Sequence, residues 1–321
     1  MAVFTSLSRN DFDLVSQVWP IGIIEKYQGM TSGVENTTYR VCSSMSKYIL
    51  TLIEKRTRAD DLKYFSELQR YFFLRGIPCP TVVLTAHQEN YQNILGLPAV
   101  LTTFLSGQAL DSPNQEACAQ MGALLGKMHG VQGDFPLRKD NPVSLAALGD
   151  IWQKCTQASE FVPETWADLH EELLLQQGRA AHHPLPQGTI HADAFPDNVF
   201  FDEKGQICGI IDWYFACYDA LLYDVALTLV GWCYDAAGQW RPEWAGAFLR
   251  AYLRAFPLGA FEDTDLRWML RRACVRIAIT RLYDALYPRA DGLVVPKSPV
   301  DFLRHLHHHR LGLPLYQGSL S

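Results

Sequence analysis

Gly188-Thr189-Ile190-His191-Ala192-Asp193-Ala194-Phe195-Pro196-Asp197-Asn198, followed after a short apolar stretch by Ile211-Asp212-Trp213, is the part of the chain whose reading decides the fold. Val199-Phe200-Phe201 is strand-like, Asp202-Glu203-Lys204-Gly205 has turn chemistry, and Ile207 to Ile211 reads as the returning strand. A hairpin with near-equal arms brings the chain back to its start. It therefore predicts that Asn198 and Asp212, fourteen residues apart, end side by side across the ladder. Both are oxygen donors of the kind that hard Mg²⁺ prefers.

Phosphoryl transfer asks little covalent work of a protein. It needs a base to orient a hydroxyl, metal ions to neutralise phosphate charge, and ligands fixed on rigid backbone. A His-x-Asp, an Asn five residues after the Asp and a second Asp beyond a hairpin are how kinases hold a hydroxyl beside the γ-phosphate of ATP. On this reading Asp193 is the base, Asn198 and Asp212 hold the metal, and His191 supports the loop by hydrogen bonds. The bland alternative is that His191 and Asp193 merely cap a turn in an α/β domain, which leaves the hairpin and the placement of Asp212 as coincidence. Asp224, read as opening a helix to Cys233, is either a plain helix N-terminal acid or a brace for the catalytic loop.

Ala192 stands where protein kinases carry the arginine that senses a phosphorylated activation loop, and Asp212 is followed by Trp213-Tyr214. Eleven residues separate Asp212 from Asp224, too few for an activation segment and peptide platform, so the acceptor is expected to be a small molecule. The chain contains no G-x-x-x-x-G-K-S/T phosphate loop.

Composition bounds the rest. The 321 residues suffice for one large domain or two modest ones, and 48% hydrophobic content supplies a core. A net charge of −6 with no basic run argues against nucleic-acid binding. Eight cysteines scattered without a C-x-x-C pair fit reduced thiols. The first fourteen residues hold no apolar block of the signal-peptide kind, and the longest apolar stretch, Ala220 to Cys233, is broken by Asp224. The expectation is a soluble, cytoplasmic protein, monomer or homodimer, with no membrane partner. His307-His308-His309 is read as a solvated helix end rather than a metal tract.

The first hundred residues read as β-rich with one helix. Asn36 to Cys42 and Lys47 to Glu54 suggest a hairpin, Ala59 to Arg75 a helix closed by Gly76, and Thr81 to Ala86 and Leu97 to Leu105 two more strands. Beyond Ser106-Gly107 the pattern is helical: from an N-cap at Ser112 to a stop at Gly130, then Val143 to Gln157, Thr165 to Arg179, Leu221 to Cys233, Pro242 to Phe256, Asp263 to Tyr287 and Pro299 to His309. The fold class expected is α+β and bilobal, protein-kinase-like, with a small β-rich N-lobe (1–104) for nucleotide and a larger, mainly helical C-lobe (105–321) for catalysis and substrate.

Gly29-Met30-Thr31-Ser32-Gly33-Val34-Glu35-Asn36 lies where a glycine-rich phosphate cover should sit, which makes Gly29, Ser32, Gly33 and Asn36 nucleotide candidates, although an ordinary β-turn fits too. The position of the usual phosphate-binding lysine falls on Thr51. Lys55, Lys47 or backbone alone are the alternatives, with Glu67 either orienting that lysine or lying on a solvated helix face. Backbone between Thr103 and Ser106 is expected to meet adenine.

Taken with Met1 to Thr5, Gly33 to Thr37, Tyr48 to Arg56, Gly76 to Pro80, Tyr214-Phe215-Ala216-Cys217 and Thr280 to Asp284, the motif region resembles the kinases of the aminoglycoside phosphotransferase fold. Within them it is similar to the homoserine kinases of bacterial threonine biosynthesis, and the similarity runs essentially end to end. The N-terminal segment and Tyr214 to Cys217 point to that group, whereas the His191 motif marks the whole superfamily. Ala194, where leucine is expected, departs from the pattern in packing rather than chemistry, and Thr51 is usual for the group. The resemblance implies ATP and Mg²⁺ as cofactors and L-homoserine as substrate, with choline, methylthioribose or an aminoglycoside as the alternative acceptors. A zwitterion needs a guanidinium for its carboxylate and a carboxylate for its ammonium. Arg281 with Asp284, or Asp219, are the candidates, drawn from a C-terminal set that includes Arg267, Arg271, Arg272 and Arg276.

Overall fold

A computed structural model describes residues 5–30, 36–54, 59–158, 166–180, 185–258, 261–288 and 298–320. The chain divides into two compact units, with the boundary in sequence between Ser106 and Gly107.

The first unit is built on an antiparallel sheet, β1 (Ile24–Gly29), β2 (Thr37–Ser43), β3 (Lys47–Leu52), β4 (Gln92–Ile94) and β5 (Leu97–Thr103), in the order β1-β2-β3-β5-β4. The expected hairpin is present, with Thr37 opposite Leu52 and Cys42 opposite Lys47. Alternation does the work here: Tyr39 and Val41 of β2 and Tyr48, Leu50 and Leu52 of β3 point to one buried face. A helix that the sequence reading missed, α1 (Arg9–Val18), adds Phe12 and Val15 to that core. Its signal was local. The Ser8 hydroxyl accepts from the Asp11 backbone N–H, and the Asp11 carboxylate accepts from the Ser8 N–H at 2.7 Å, a capping box with aspartate at its third position. Helix α2 (Ala59–Leu74) buries Leu62, Phe65, Leu68 and Phe72.

One expected strand does not form. Residues 81–86 make a single bridge, Val82 to Thr102, with Val83 N–H bonded to Leu101 O at 2.8 Å. The reason is competition for one edge: β4 takes the Leu97–Ala99 end of β5 and leaves the other end to this segment. The β4–β5 turn puts both Leu95 (φ 51°) and Gly96 (φ 80°) in the left-handed region. A leucine there hides the hairpin from any search for Asn-Gly.

The second unit holds seven helices among the described residues: α3 (Gln115–Val131), α4 (Leu145–Ala158), α5 (Ala167–Ala180), α6 (Leu221–Trp232), α7 (Pro242–Ala255), α8 (Asp263–Leu286) and α9 (Val300–Arg310). It also holds a three-stranded sheet, β6 (Gln108–Ala109), β8 (Val199–Phe201) and β9 (Ile207–Ile210), and a pair, β7 (Gln187–Ile190) with β10 (Cys217–Ala220). Helix α3 starts from Asn114, whose side chain accepts from Ala117 N–H, and not from Ser112; it runs past Gly130 to Val131. Helix α6 is buried on nearly every side, as its uniformly apolar sequence requires.

The histidine run is solvated only in part: His307 is exposed and His308 half-buried, whereas His309, and His305 before the run, face the core. His305 stacks on Tyr234 at 3.4 Å between centroids, and His309, fully buried, meets the Tyr234 hydroxyl at 3.1 Å. Burial pushes His305 down to about 3 and His309 in the same direction. Among the described residues no three His, Cys, Asp or Glu side chains cluster to hold a metal.

Helices α3 and α7 approach closely because Gly122 and Gly126, one turn apart, face α7 backbone. A Cβ at Gly122 would collide with Phe248 O, and one at Gly126 would sit 2.7 Å from Tyr252 O. Backbone on the opposing side cannot swing away. Gly122→Ala is therefore expected to lower the unfolding free energy by about 2 kcal/mol in urea titration, whereas Gly133→Ala, open to solvent within 4 Å, should leave the midpoint nearly unchanged.

Candidate active site

The strand pair β7–β10 delivers the motif. Ile190, the last residue of β7, pairs with Cys217, the first of β10, so the loop that opens at His191 lies beside the segment that follows Asp212. This pairing lay outside the sequence reading. The hairpin supplies the rest: Val199 pairs with Ile210, and Ile211 N–H donates to Asn198 O at 2.9 Å. The arms are not quite equal, since a bulge at Phe200/Phe201 absorbs an extra residue on the β9 side.

Within the loop, Asn198 Nδ2 donates to Asp193 O at 2.8 Å and to Asp193 Oδ2 at 2.9 Å. That fork fixes the Asp193 carboxylate and leaves the amide oxygen of Asn198 as the acceptor pointing elsewhere. Asp212 has φ 62° and ψ 68° and caps a 3₁₀ turn, Trp213–Phe215. Ala192 also has φ 62°. Two of the four non-glycine residues with positive φ among those described are thus at the motif, each a conformation costing on the order of 1 kcal/mol or more that the surroundings must impose.

Those surroundings can be named. Asp224, buried in the first turn of α6, accepts from His191 N–H at 2.9 Å and Ala192 N–H at 2.8 Å. Of the two readings of Asp224, the structure shows the brace, and the helix begins at Leu221, which puts Asp224 in its first turn. Its Oδ2 also meets His129 Nε2 of α3 at 3.1 Å, and His129 Nδ1 meets the Tyr252 hydroxyl of α7 at 2.9 Å. A carboxylate only accepts, so Nε2 carries the hydrogen. Burial alone would raise the Asp224 carboxyl, but the His129 bond and the neighbouring ring and amide donors outweigh it and hold the group low. Helix α6 contributes twice more: Trp232 Nε1 donates to Ala194 O at 2.7 Å, and the Phe195 ring rests on Gly231, where a Cβ would come within 2.5 Å of it.

Both ring nitrogens of His191 are bonded to backbone. Its Nε2 lies 3.1 Å from Ile211 O and its Nδ1 accepts from Asp193 N–H at 3.2 Å, which ties the two carboxylate-bearing segments together. Burial lowers the ring to about 4, and it tilts against Trp213 at 4.7 Å.

Arg276 of α8 was named in the sequence only as one of five arginines. It is buried, donates through Nη1 to Ala192 O, and places Nη2 3.8 Å from Asp193 Oδ1.

The substrate candidates separate. Asp219 accepts from both nitrogens of Arg272 (3.2 and 2.7 Å), from Asn141 Nδ2 at 2.7 Å and from Ala220 N–H at 2.7 Å. Two bonds per oxygen fill its acceptor sites, so Asp219 anchors β10 to α8. Arg281 is half-buried, donates to Ser298 O at 3.1 Å, and feels the charges of Asp301, Asp197 and Asp193, while burial pulls its ordinary value down. Asp284 lies three residues further along α8, and its charge reaches Cys155 of α4.

Of the nucleotide candidates, Gly29 ends β1, and Asn36 accepts from Glu54 N–H at 3.1 Å, closing the β2–β3 end. Thr103 Oγ1 accepts from Thr81 N–H at 3.0 Å, and Ser106 is the last residue before the boundary. Ser32, Gly33 and Lys55 lie outside the described residues. Glu67 is on the solvated face of α2, 3.9 Å from Lys63.

The neutral His191 fixes a pH dependence. Between its unfolded value near 6.5 and its folded value near 4, the unfolded chain binds the proton that the folded chain refuses. Stability falls as pH drops through that window, by up to about 1.4 kcal/mol per pH unit for this ring. Asp224, held low, adds its loss only below about pH 3.8. Urea titrations from pH 7.5 to 4.5 should give a shallower slope for His191→Gln than for the native chain; equal slopes would contradict the assignment.

Comparison with known proteins agrees with the geometry. The model of the phosphotransferase enzyme family matches residues 26–263. The homoserine kinases of Brucella melitensis and Brucella abortus are each 38% identical over 315 residues, covering 97% of this chain and 95% of their own length. Among solved structures, an amicoumacin kinase in complex with AMP-PNP and Ca²⁺ has a TM-score of 0.72 at 14% identity, covering 98% of this chain and 96% of its own. A Plasmodium vivax ethanolamine kinase has a TM-score of 0.63 at 13% identity, covering 96% and 85%. At such identities these two show the fold, which is kinase-like, with its β-sheet unit first and its helical unit second. With matching order of parts, matching fold and a family model spanning most of its length, the chain belongs to the phosphotransferase enzyme family and is a kinase.

Proposed function

We propose that the protein transfers the γ-phosphoryl group of ATP to the side-chain hydroxyl of L-homoserine, giving O-phospho-L-homoserine for threonine biosynthesis. The observation that carries this is the end-to-end 38% identity to homoserine kinases, reinforced by the fork of Asn198 on Asp193. Asp193 takes the hydroxyl proton as the new O–P bond forms and the bond to the β-phosphate oxygen breaks, releasing ADP. Its carboxylate is aimed by Asn198, and the loop beneath it is held by Asp224.

The amide oxygen of Asn198 and the carboxylate of Asp212 form an oxygen donor set that fits Mg²⁺, which takes a few protein ligands and completes its shell with phosphates and water. Mg²⁺, when bound, supplies neutralisation of the phosphate charge. Gly29, Ser32, Gly33, Asn36 and Lys55 are assigned to the phosphates, and backbone at Thr103 to Ser106 to adenine. For the acceptor, the saturation of Asp219 leaves Arg281 for the carboxylate and Asp284, on the same face of α8 at i+3, for the ammonium.

Coupled ADP release with a panel of acceptors tests the substrate. Homoserine should turn over with kcat/KM well above choline, methylthioribose and an aminoglycoside; preference for any of these overturns the assignment. Arg281→Ala should raise homoserine KM roughly 10- to 100-fold, the loss of a charge-assisted pair, and an unchanged KM would remove Arg281 from the pocket.

A further inference from the structure

Arg276 stands between the two halves of the candidate site. One nitrogen of its guanidinium donates to Ala192 O, the other lies 3.8 Å from Asp193 Oδ1, and its Cζ sits 5.0 Å from the centre of Phe215 in the turn that follows Asp212. It is 3% exposed, and a guanidinium is buried at a cost that only paired, directed contacts offset. Four residues earlier on α8, Arg272 makes its bidentate pair to Asp219 of β10. One helical turn therefore separates an anchor to the strand pair from a contact to the loop which that pair presents. Ala192 is the strained residue of the loop, and its peptide groups are gripped from both sides: the N–H by Asp224 and the carbonyl by Arg276.

We infer that Arg276 is a positioning residue for the transfer. Through its planar fork it sets the orientation of Asp193 and the spacing between the loop of Asp193 and the turn of Asp212. Arg276 and Arg281 of α8 are among the charged groups that reach Asp193, and Asp197 shares the field of Arg281. The inference rests on Asp193 being the base proposed above.

The test compares R276Q, R276K and D193N by steady-state kinetics with ATP, Mg²⁺ and homoserine from pH 5.5 to 9, with thermal unfolding of each. R276Q should lose kcat by about 10²-fold, the scale of a misplaced catalytic group, with homoserine KM little changed. R276K keeps one directed contact in place of the two-pronged fork, so its kcat should recover in part at native KM. Native kcat in R276Q would reduce Arg276 to packing, and a rise in KM at native kcat would make it a substrate ligand; either overturns the inference. If R276Q does not fold, R276K decides alone, with reduced kcat at native KM expected and native kcat contradicting. An active D193N sinks the base assignment and this inference together, whereas an inactive D193N with native kcat in R276Q sinks the inference alone.

Discussion

The site depends on one buried anion. Asp224 sits in the first turn of α6 with its carboxylate inaccessible to solvent, and in that position it must be fully bonded or expensive. Its partners are two consecutive backbone amides of the catalytic loop and a histidine whose far nitrogen is held by a tyrosine from a third helix. The charge and the loop conformation require each other. Ala192 would not stay in the left-handed region unaided, and Asp224 would not stay ionised without the amides that this conformation aims at it. The loop is therefore a rigid part of the helical unit rather than a flexible connection, which is what positioning catalysis needs.

Helices α6 and α8 divide the work around that loop. Helix α6 takes its amides through Asp224, the Ala194 carbonyl through Trp232, and the Phe195 ring on the bare surface of Gly231. Helix α8 takes the Ala192 carbonyl through Arg276 and the strand behind through Arg272. Ala194 is nearly fully buried, and its chemistry lies in its carbonyl, consistent with a change there being one of packing. The same helix carries the arginine proposed for substrate. One arginine series thus contributes an anchor at 272, a clamp at 276 and the proposed ligand at 281, and a change of register in α8 would disturb all three.

The motif was legible because its chemistry is local: Asn198 and Asp212 flank a hairpin whose turn and strand residues announce themselves, with His191 and Asp193 in the loop just before it, and the β2–β3 hairpin was legible for the same reason. What sequence could not rank was anything decided by a partner far along the chain. Asp219 looks like a ligand until Arg272 and Asn141 are seen to fill it, and Arg276 looks like any helix arginine until Ala192 O is found against it. Residues 81–86 have strand composition, but the edge they would use is already shared with β4. The histidines of α9 read as solvated because they are consecutive; His307 is exposed, but His305 and His309 are core because Tyr234 and Trp240 cover them. Helix α1 is the exception, since its capping box was on the page.

The most direct measurement is ³¹P NMR of the product formed from ATP, Mg²⁺ and L-homoserine. The account predicts a phosphomonoester resonance coupled to the protons of the terminal methylene, growing in equal amount with ADP and abolished by Asp193→Asn. Release of inorganic phosphate alone, or a new resonance that lacks coupling to that methylene, would contradict it.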